Sequence, residues 1–249
     1  MMAPATARFI PLSLVGFALV VLCGMFAALS GFGSRWGWWH FSTGFTLLKW
    51  SAIGALAAMV IAAAGALVPA LGGGRYLAVT AITVVLGLAI AGVPWSWLRE
   101  VKRLPTIHDI TTDTDDPPQF RAVLEQRKDA VNPAEYGGRS IAEQQRRAYP
   151  DVKHLLLPAP PDEAFDRALA AVRKMGWLIV VSDQREGRIE ATDTTFWFGF
   201  KDDVVVRIRQ EGSGSRVDVR SLSRVGKSDV GTNARRIEKY LTTLQRIFL

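Results

Sequence analysis

The sequence predicts an α+β protein in two parts: three N-terminal transmembrane helices, then a two-layer domain with an antiparallel sheet packed by two helices. Three observations predict it. Residues 1–98 contain no Asp or Glu and divide into three long apolar runs. From Tyr149 onward, consecutive short runs alternate apolar and polar residues between turn signals, the period of half-buried strands. Two stretches in that second part carry apolar residues at helical spacing. The expected organisation is a three-helix transmembrane region over 1–98, a linker with short helices over 99–148, and a soluble α+β domain over 149–249.

The spans come first. Phe9 to Leu29 is apolar and free of charge, about the 20 residues a bilayer crossing needs. Phe45 to Val68 is interrupted only by Lys49, near one end, where an ammonium can reach the interface. Tyr76 to Trp97 is the third. In hydrocarbon each backbone amide must be bonded within its own segment, so these runs are expected to be helices. Trp36, Trp38, Trp39, Trp50, Trp95 and Trp97 fall on one membrane face along a three-span path, as an interfacial aromatic belt would. The turn from Pro69 to Arg75 lies on the other. Gly54, Gly65, Gly87 and Gly92 would let helices approach closely. A cleaved signal peptide ending near Ala28-Leu29-Ser30 is the alternative for the first run.

Next comes a charged collar, Arg99 to Arg103, expected just outside the third span. Pro105, Pro117 and Pro118 then bracket a polar stretch that cannot be one long helix. His108, Asp109 and Asp113 cluster there with Asp115 and Asp116. Imidazole plus carboxylates suit a divalent cation, but the spacing fails the calcium-loop template, and Asx-turn and helix-cap roles are the favoured account of it. Phe120 to Arg127 and Ser140 to Ala148 read as short helices, the second with a capping box, Ser140-Ile141-Ala142-Glu143.

In the C-terminal part Val152 to Leu157 reads as a strand. Pro160 and Pro161 open a helix with Phe165, Leu169 and Val172 on one face. Trp177 to Ser182 is continuously apolar and is expected to be a central strand. Arg188 to Thr194, Asp203 to Gln210 and Arg216 to Arg224 alternate, with Ile189, Ala191, Val204, Val206, Ile208, Val217 and Val219 inward. Gly212-Ser213-Gly214 turns the last pair, and a final helix carries Ile237, Leu241, Leu244 and Phe248.

The opposite face of that sheet would present Arg207, Arg209, Arg220 and Arg224 to solvent, with Asp218 and Glu190 nearby. A solvated face with cross-strand charge pairs is the bland reading. An anion-receiving or partner-facing surface is the functional one, since guanidinium suits carboxylate and phosphate. Asp202 and Asp203 beside Lys201 are candidates for acid/base work, but adjacent strand residues point to opposite faces and should not converge. Trp197 in the Phe196-Trp197-Phe198 turn is either core or an exposed contact. Gly226-Lys227-Ser228 lacks the first glycine of a phosphate loop, because Ser221 stands there. Lys227 with the free amides of the last helix could still hold an anion, or Asp229 could cap that helix.

With 30 Lys and Arg against 23 Asp and Glu the chain is basic, but the excess is spread over both parts. There is no cationic run of the kind that binds nucleic acid. The single cysteine, Cys23, lies in the first span.

The run from Pro105 onward resembles the family catalogued as domain of unknown function 1499. Three stretches carry the likeness: Ile107-His108-Asp109-Ile110-Thr111-Thr112-Asp113; Ile189-Glu190-Ala191-Thr192 through Phe198-Gly199-Phe200-Lys201-Asp202-Asp203; and Ser223-Arg224-Val225-Gly226 through Asp229-Val230-Gly231. The resemblance implies bacterial or plastid relatives with no assigned reaction and no agreed catalytic residues. Shorter relatives carry secretion-like N-termini, which implies an extracytoplasmic domain, against a small cation excess on the tryptophan face that favours the cytoplasm. The family's Asn-Cys element is replaced here by Ile107-His108-Asp109.

The expectation is a multi-pass protein of the bacterial inner membrane, without a cofactor. Its C-terminal domain would bind a protein partner or an anionic envelope ligand through the sheet face, using Trp197, Lys201, Asp202, Asp203, Arg207, Arg220, Arg224, Lys227 and Asp229. The alternative is a metal-dependent or carboxylate-based hydrolase at the membrane surface, using His108, Asp109 and Asp113 with Asp202 or Asp203.

Overall fold

The computed structural model describes residues 11–67 and 73–248. They fall into two compact units, Met1–Arg99 with Trp197–Gly199, and Glu100–Phe196 with Phe200–Leu249.

The first unit is built on three helices, each long and apolar enough to cross a membrane: α1 (Leu12–Arg35), α2 (Phe41–Leu67) and α3 (Leu77–Arg103). The expected start of the first span at Phe9 and the turn residues Val68 to Gly72 lie outside the described residues. The third helix outruns its apolar stretch. The Arg99–Arg103 collar is its last turn, where Lys102 and Arg103 face the negative end of the helix dipole. Close approach is made by small residues. A Cβ added at Gly65 of α2 would lie 2.5 Å from the Ser13 amide of α1, and one at Gly54 would lie 2.7 Å from the Cys23 sulfur. These meetings pair low numbers with high ones, so α1 and α2 are antiparallel. Gly87 of α3 likewise meets Met59 and Ala55 of α2, while Gly92 faces open space. Ser13 and Thr80 both donate their hydroxyls to the Ala62 carbonyl, a polar link inside an apolar bundle. The antiparallel register carries the tryptophans toward one end of the bundle, where Trp36 and Trp38 lie 4.8 Å apart.

Trp197–Gly199 belong to this unit by contact. Trp197 is half-buried, packs on Gly31 and donates its indole N–H to the Ala28 carbonyl at 3.0 Å. Its ring lies 5.5 Å from Trp97, and the buried Phe198 ring lies 4.9 Å from Phe45. Of the two roles open to Trp197, packing is the one it has.

The second unit is a six-stranded antiparallel sheet with helices. Its strands are β1 (Asp109–Thr111), β2 (Leu155–Leu157), β3 (Leu178–Asp183), β4 (Arg188–Thr194), β5 (Lys201–Glu211) and β6 (Gly214–Ser223). Their order is β1-β6-β5-β4-β3, with β2 on the same edge of β6 as β1. A two-residue turn, Gly212-Ser213, joins β5 to β6, and Gly212 adopts φ +57°, which a side chain would resist. Helices α5 (Pro161–Met175) and α6 (Thr232–Phe248) cover one face. Proline opens α5, and Gly176 in the left-handed region closes it. Every inward residue expected from the alternation joins one core with Phe165, Val172, Ile237 and Leu244. Trp177 stacks on Tyr240, and the Tyr240 hydroxyl donates to the Ala168 carbonyl.

Four expectations need correction. β3 is an edge strand. Its apolar run reflects cover on both faces, since Ile179 packs on the helix-side core and Val180 on the cluster of Phe120, Val123, Val205 and Leu222. Residues 100–148 are built into the domain: β1 pairs with β6, a 3-10 helix (Ala122–Arg127) lies across the sheet, and α4 (Gly138–Ala148) follows. The capping box is absent because α4 starts two residues before Ser140; Glu143 pairs with Arg139 instead. Finally, the sheet face opposite the helices is covered by residues 109–136 rather than solvated.

Candidate functional site

Alternation places Glu190, Thr192, Asp203, Val205, Arg207, Asp218, Arg220 and Leu222 on the non-helical face, in register across three strands. Most of these side chains are polar, so whatever covers them must supply hydrogen bonds. The covering segment does so in a row of ionic knots.

In the first knot Arg220, fully buried, donates two bonds to Asp109 of β1 at 2.9 and 2.8 Å. Its remaining donors go to the carbonyls of Pro118 and Ala134, and its plane lies between Phe120 and Tyr136. In the second, Asp203 accepts from Arg224 at 2.9 and 2.8 Å, from Arg127, and from the Thr192 hydroxyl. Arg127 and Arg224 also donate to the carbonyls of Asn132 and Gln126. The third is larger: Arg207, Arg209 and Arg216 share Asp113 and Asp218, and the first two also reach Asp116. Burial pushes the Asp113 carboxyl up. The amides of Asp116 and Asp115 and the guanidiniums of Arg216 and Arg207 outweigh that, and hold it below its ordinary value. Beside these knots Glu190, fully buried, accepts the amides of Arg121 and Val123 and so caps the 3-10 helix.

Asp202 and Asp203 diverge, as adjacent strand residues must. Asp202 faces the helix layer, where Arg236 of α6 binds it together with Asp193, Asn233 and Ser221. The metal trio is not brought together. Asp109 is committed to Arg220, Asp113 forms an Asx turn with the amides of Asp115 and Asp116, and His108 lies beside the Lys227 carbonyl. Among the described residues no group of three His, Cys, Asp or Glu could hold a metal ion. At the start of α6 the free amides already have an anion: Asp229 accepts from Gly231 at 2.9 Å and Asn233 at 2.7 Å. Burial raises the Asp229 carboxyl despite those two bonds. Lys201 and Lys227 are exposed.

Sequence reasoning therefore found the strand-borne charges but gave them to solvent. It missed Arg127, Tyr136 and Arg236. Arg236 precedes the apolar Ile237, so it had a readable position on the rim of the α6 stripe. Arg127 and Tyr136 lie in non-periodic chain and had no such signal.

One open concavity adjoins the covering segment. It is a cleft of about 470 Å3 between the Thr114–Pro117 loop and α4, lined among others by Asp115, Tyr136, Arg139 and Arg146. A second, of about 250 Å3, lies over Trp177 beside Arg236.

The profile of the family described as "Protein of unknown function (DUF1499)" matches residues 109–244. The match begins at β1, not at β2, in agreement with a domain that includes its covering segment. A search of curated proteins finds no match.

Proposed function

The chain belongs to the DUF1499 family, and on that premise we propose that it is a membrane-anchored binding protein whose α+β domain receives an anionic partner or envelope ligand without catalysis. What supports this reading is the use made of the buried carboxylates. Asp109, Asp202, Asp203 and Asp218 each accept from arginine, and Glu190 accepts two backbone amides. A general acid or base needs a lone pair or proton within reach of substrate. These five are occupied as internal anchors.

The ligand surface of this reading is the solvent-facing margin of the sheet along β5, with Lys201 and Lys227 exposed toward one end of the strand and Arg209 exposed toward the other. Arg220 is excluded from direct contact by its burial, and Arg224 and Arg207 act by holding the covering segment. On this reading the membrane is a bacterial inner membrane and the domain lies outside the cytoplasm, as the family resemblance implies. A reporter fused after residue 249 checks the side, and activity only of a cytoplasmic reporter would reverse it. The binding claim is tested by cross-linking in native membranes. Reversing Lys201 and Lys227 to Glu, with Arg209→Ala, should abolish the cross-linked species while the chain stays folded; an unchanged species would reject this rim.

A further inference from the structure

We propose that the tip of the β4–β5 turn, Phe196-Trp197, is an interfacial anchor: Phe196 is seated at the boundary between headgroups and acyl chains of the lipid bilayer. It rests on the reading of the three long helices as membrane spans, and adds a lipid contact that lies outside them.

Three observations converge on it. The first is depth. The turn runs along α1, away from that helix's charged end. Gly199 lies at the level of Arg35, since a Cβ there would come within 3.0 Å of the Arg35 Cα. Two residues earlier, Trp197 donates to the Ala28 carbonyl. Ala28 precedes Arg35 by two turns of α1, about 10 Å along the helix axis. The tip therefore stands on the apolar side of the last charge of α1. The second is the company it keeps. Trp197 and Phe198 meet Trp97 near the end of α3, and Phe198 meets Phe45 near the start of α2. Trp36, Trp38 and Trp95 of the same unit are exposed. Indoles gathered at one end of apolar spans mark the headgroup layer. The third is the bonding of the turn's polar groups. The Thr195 amide donates to the Phe200 carbonyl at 2.9 Å, and the Phe200 amide to the Thr195 hydroxyl at 2.9 Å. The Phe198 carbonyl accepts from the Ser34 hydroxyl at 3.4 Å. Irregular chain can stand at that depth only when such groups are satisfied.

Phe196 supplies the lipid contact. Its side chain is 78% exposed on the protein. A single exposed phenylalanine on a water-facing surface needs no explanation. This one adjoins Trp197, whose indole is fastened to α1 at a level where the surroundings of the helix are headgroups and hydrocarbon. The two rings divide the work. The indole ties the turn to the helix through its N–H, and the phenyl ring offers most of its apolar surface to lipid. The bilayer is favoured over a protein groove as the occupant because the site is continuous with the aromatic belt among which Trp197 packs.

The test uses the full chain with Cys23→Ser, reconstituted in bilayers of equal parts phosphatidylcholine and phosphatidylglycerol. One nitroxide at a time is attached at Phe196→Cys, Leu22→Cys or Ser213→Cys. Leu22 is an exposed residue within α1. Ser213 is exposed in the turn at the far end of β5, roughly 35 Å along that strand. Power-saturation EPR compares collisions with oxygen, which partitions into lipid, and with a water-soluble nickel chelate. Leu22 should favour oxygen most and Ser213 the chelate. Phe196 should lie between them, with a severalfold higher ratio of oxygen to chelate than Ser213. A ratio equal to that of Ser213 would place the ring in water and overturn the proposal. Low collision with both reagents would mean that protein covers it, and would overturn it as well. Failure of Leu22 to favour oxygen would remove the membrane reading and the proposal together, so the two failures are distinguishable. Phe196→Trp, without a label, gives a second readout. Its added emission should be quenched by lipids brominated near the headgroup, and absence of that quenching also overturns the proposal.

Discussion

The two faces of the sheet are covered by different means. On one, α5 and α6 lay apolar stripes over Ile189, Val206, Val219 and their neighbours, and the contact is dispersion and burial. On the other, a segment of little regular structure is held by arginines and carboxylates around one small apolar cluster, Phe120, Val123, Val205 and Leu222. An apolar interface loses stability in proportion to what is removed. An ionic one fails disproportionately when a single partner goes, because the other is left buried and charged.

The largest effect should come from that asymmetry. Arg220→Ala strands the buried Asp109 without its partner and should cost about 3–5 kcal/mol, read by pulse proteolysis of the detergent-solubilised chain across a urea series. Replacing both partners, Asp109→Leu with Arg220→Met, should recover much of the loss, since neither charge then remains to be desolvated. Ile237→Ala, on the helix face, should cost about 2–5 kcal/mol, with no second-site change of that kind to rescue it. If the double variant is no more stable than Arg220→Ala, the two faces do not differ in the way stated.

Acid should separate the faces next. Asp113 titrates below its ordinary value because Arg216, Arg207 and two amides favour its charged form. Its contribution is present above the unfolded carboxylate value, about 3.9, and is lost as pH falls through the lower folded value. Asp229, on the helix side, has the opposite sign. Burial raises it, so its contribution is complete below about 3.9 and is lost as pH rises through the folded value. Hydrogen exchange should therefore show residues 113–127 losing protection on acidification below about pH 4, before the first turn of α6. Simultaneous loss in both segments would contradict this.

What could be read from the sequence follows the same division. Period-2 alternation identified β4, β5 and β6 and their inward residues, because one face of each strand meets hydrocarbon throughout. The three long helices were legible for a similar reason: each is a long run of apolar residues with almost no charge inside it. The covering segment was not. Asp109-Ile110-Thr111 is too short for a period to show, and Gln145, which exchanges both its amide groups with the backbone of Thr111, looks like any helical glutamine. The ion pairs that tie the covering segment to the sheet join residues 76 to 111 positions apart, so no local pattern announces them. Outward charge was therefore taken for solvated charge, and the arginines assigned to a ligand were in fact spent on the chain itself.

A smaller effect tests the helix side. Asp229→Ala removes the acceptor for Gly231 and Asn233 at the start of α6 and should cost about 1 kcal/mol, as lost caps do. Asp229→Asn should cost less, because it keeps an acceptor and removes the charge that burial opposes. Equal losses would mean that the charge, not the cap, is what the position supplies.

The smallest effect lies at the rim of the third knot, and it marks where the ionic face ends and solvent begins. Arg209 and Arg216 contact the same two carboxylates, Asp113 and Asp218. Arg209 is 41% exposed at its side chain and Arg216 is 20% exposed. Water already screens the first pair and competes for its donors, so Arg209→Ala should cost less than about 1 kcal/mol and less still at high salt. Arg216→Ala leaves Asp218, which is fully buried, with two of its three arginines, and should cost more than Arg209→Ala at every salt concentration. Urea denaturation of the two variants at low and high salt compares them directly. A salt-independent loss at Arg209 as large as that at Arg216 would move the boundary outward, placing Arg209 inside the buried network and removing it from the surface open to a ligand.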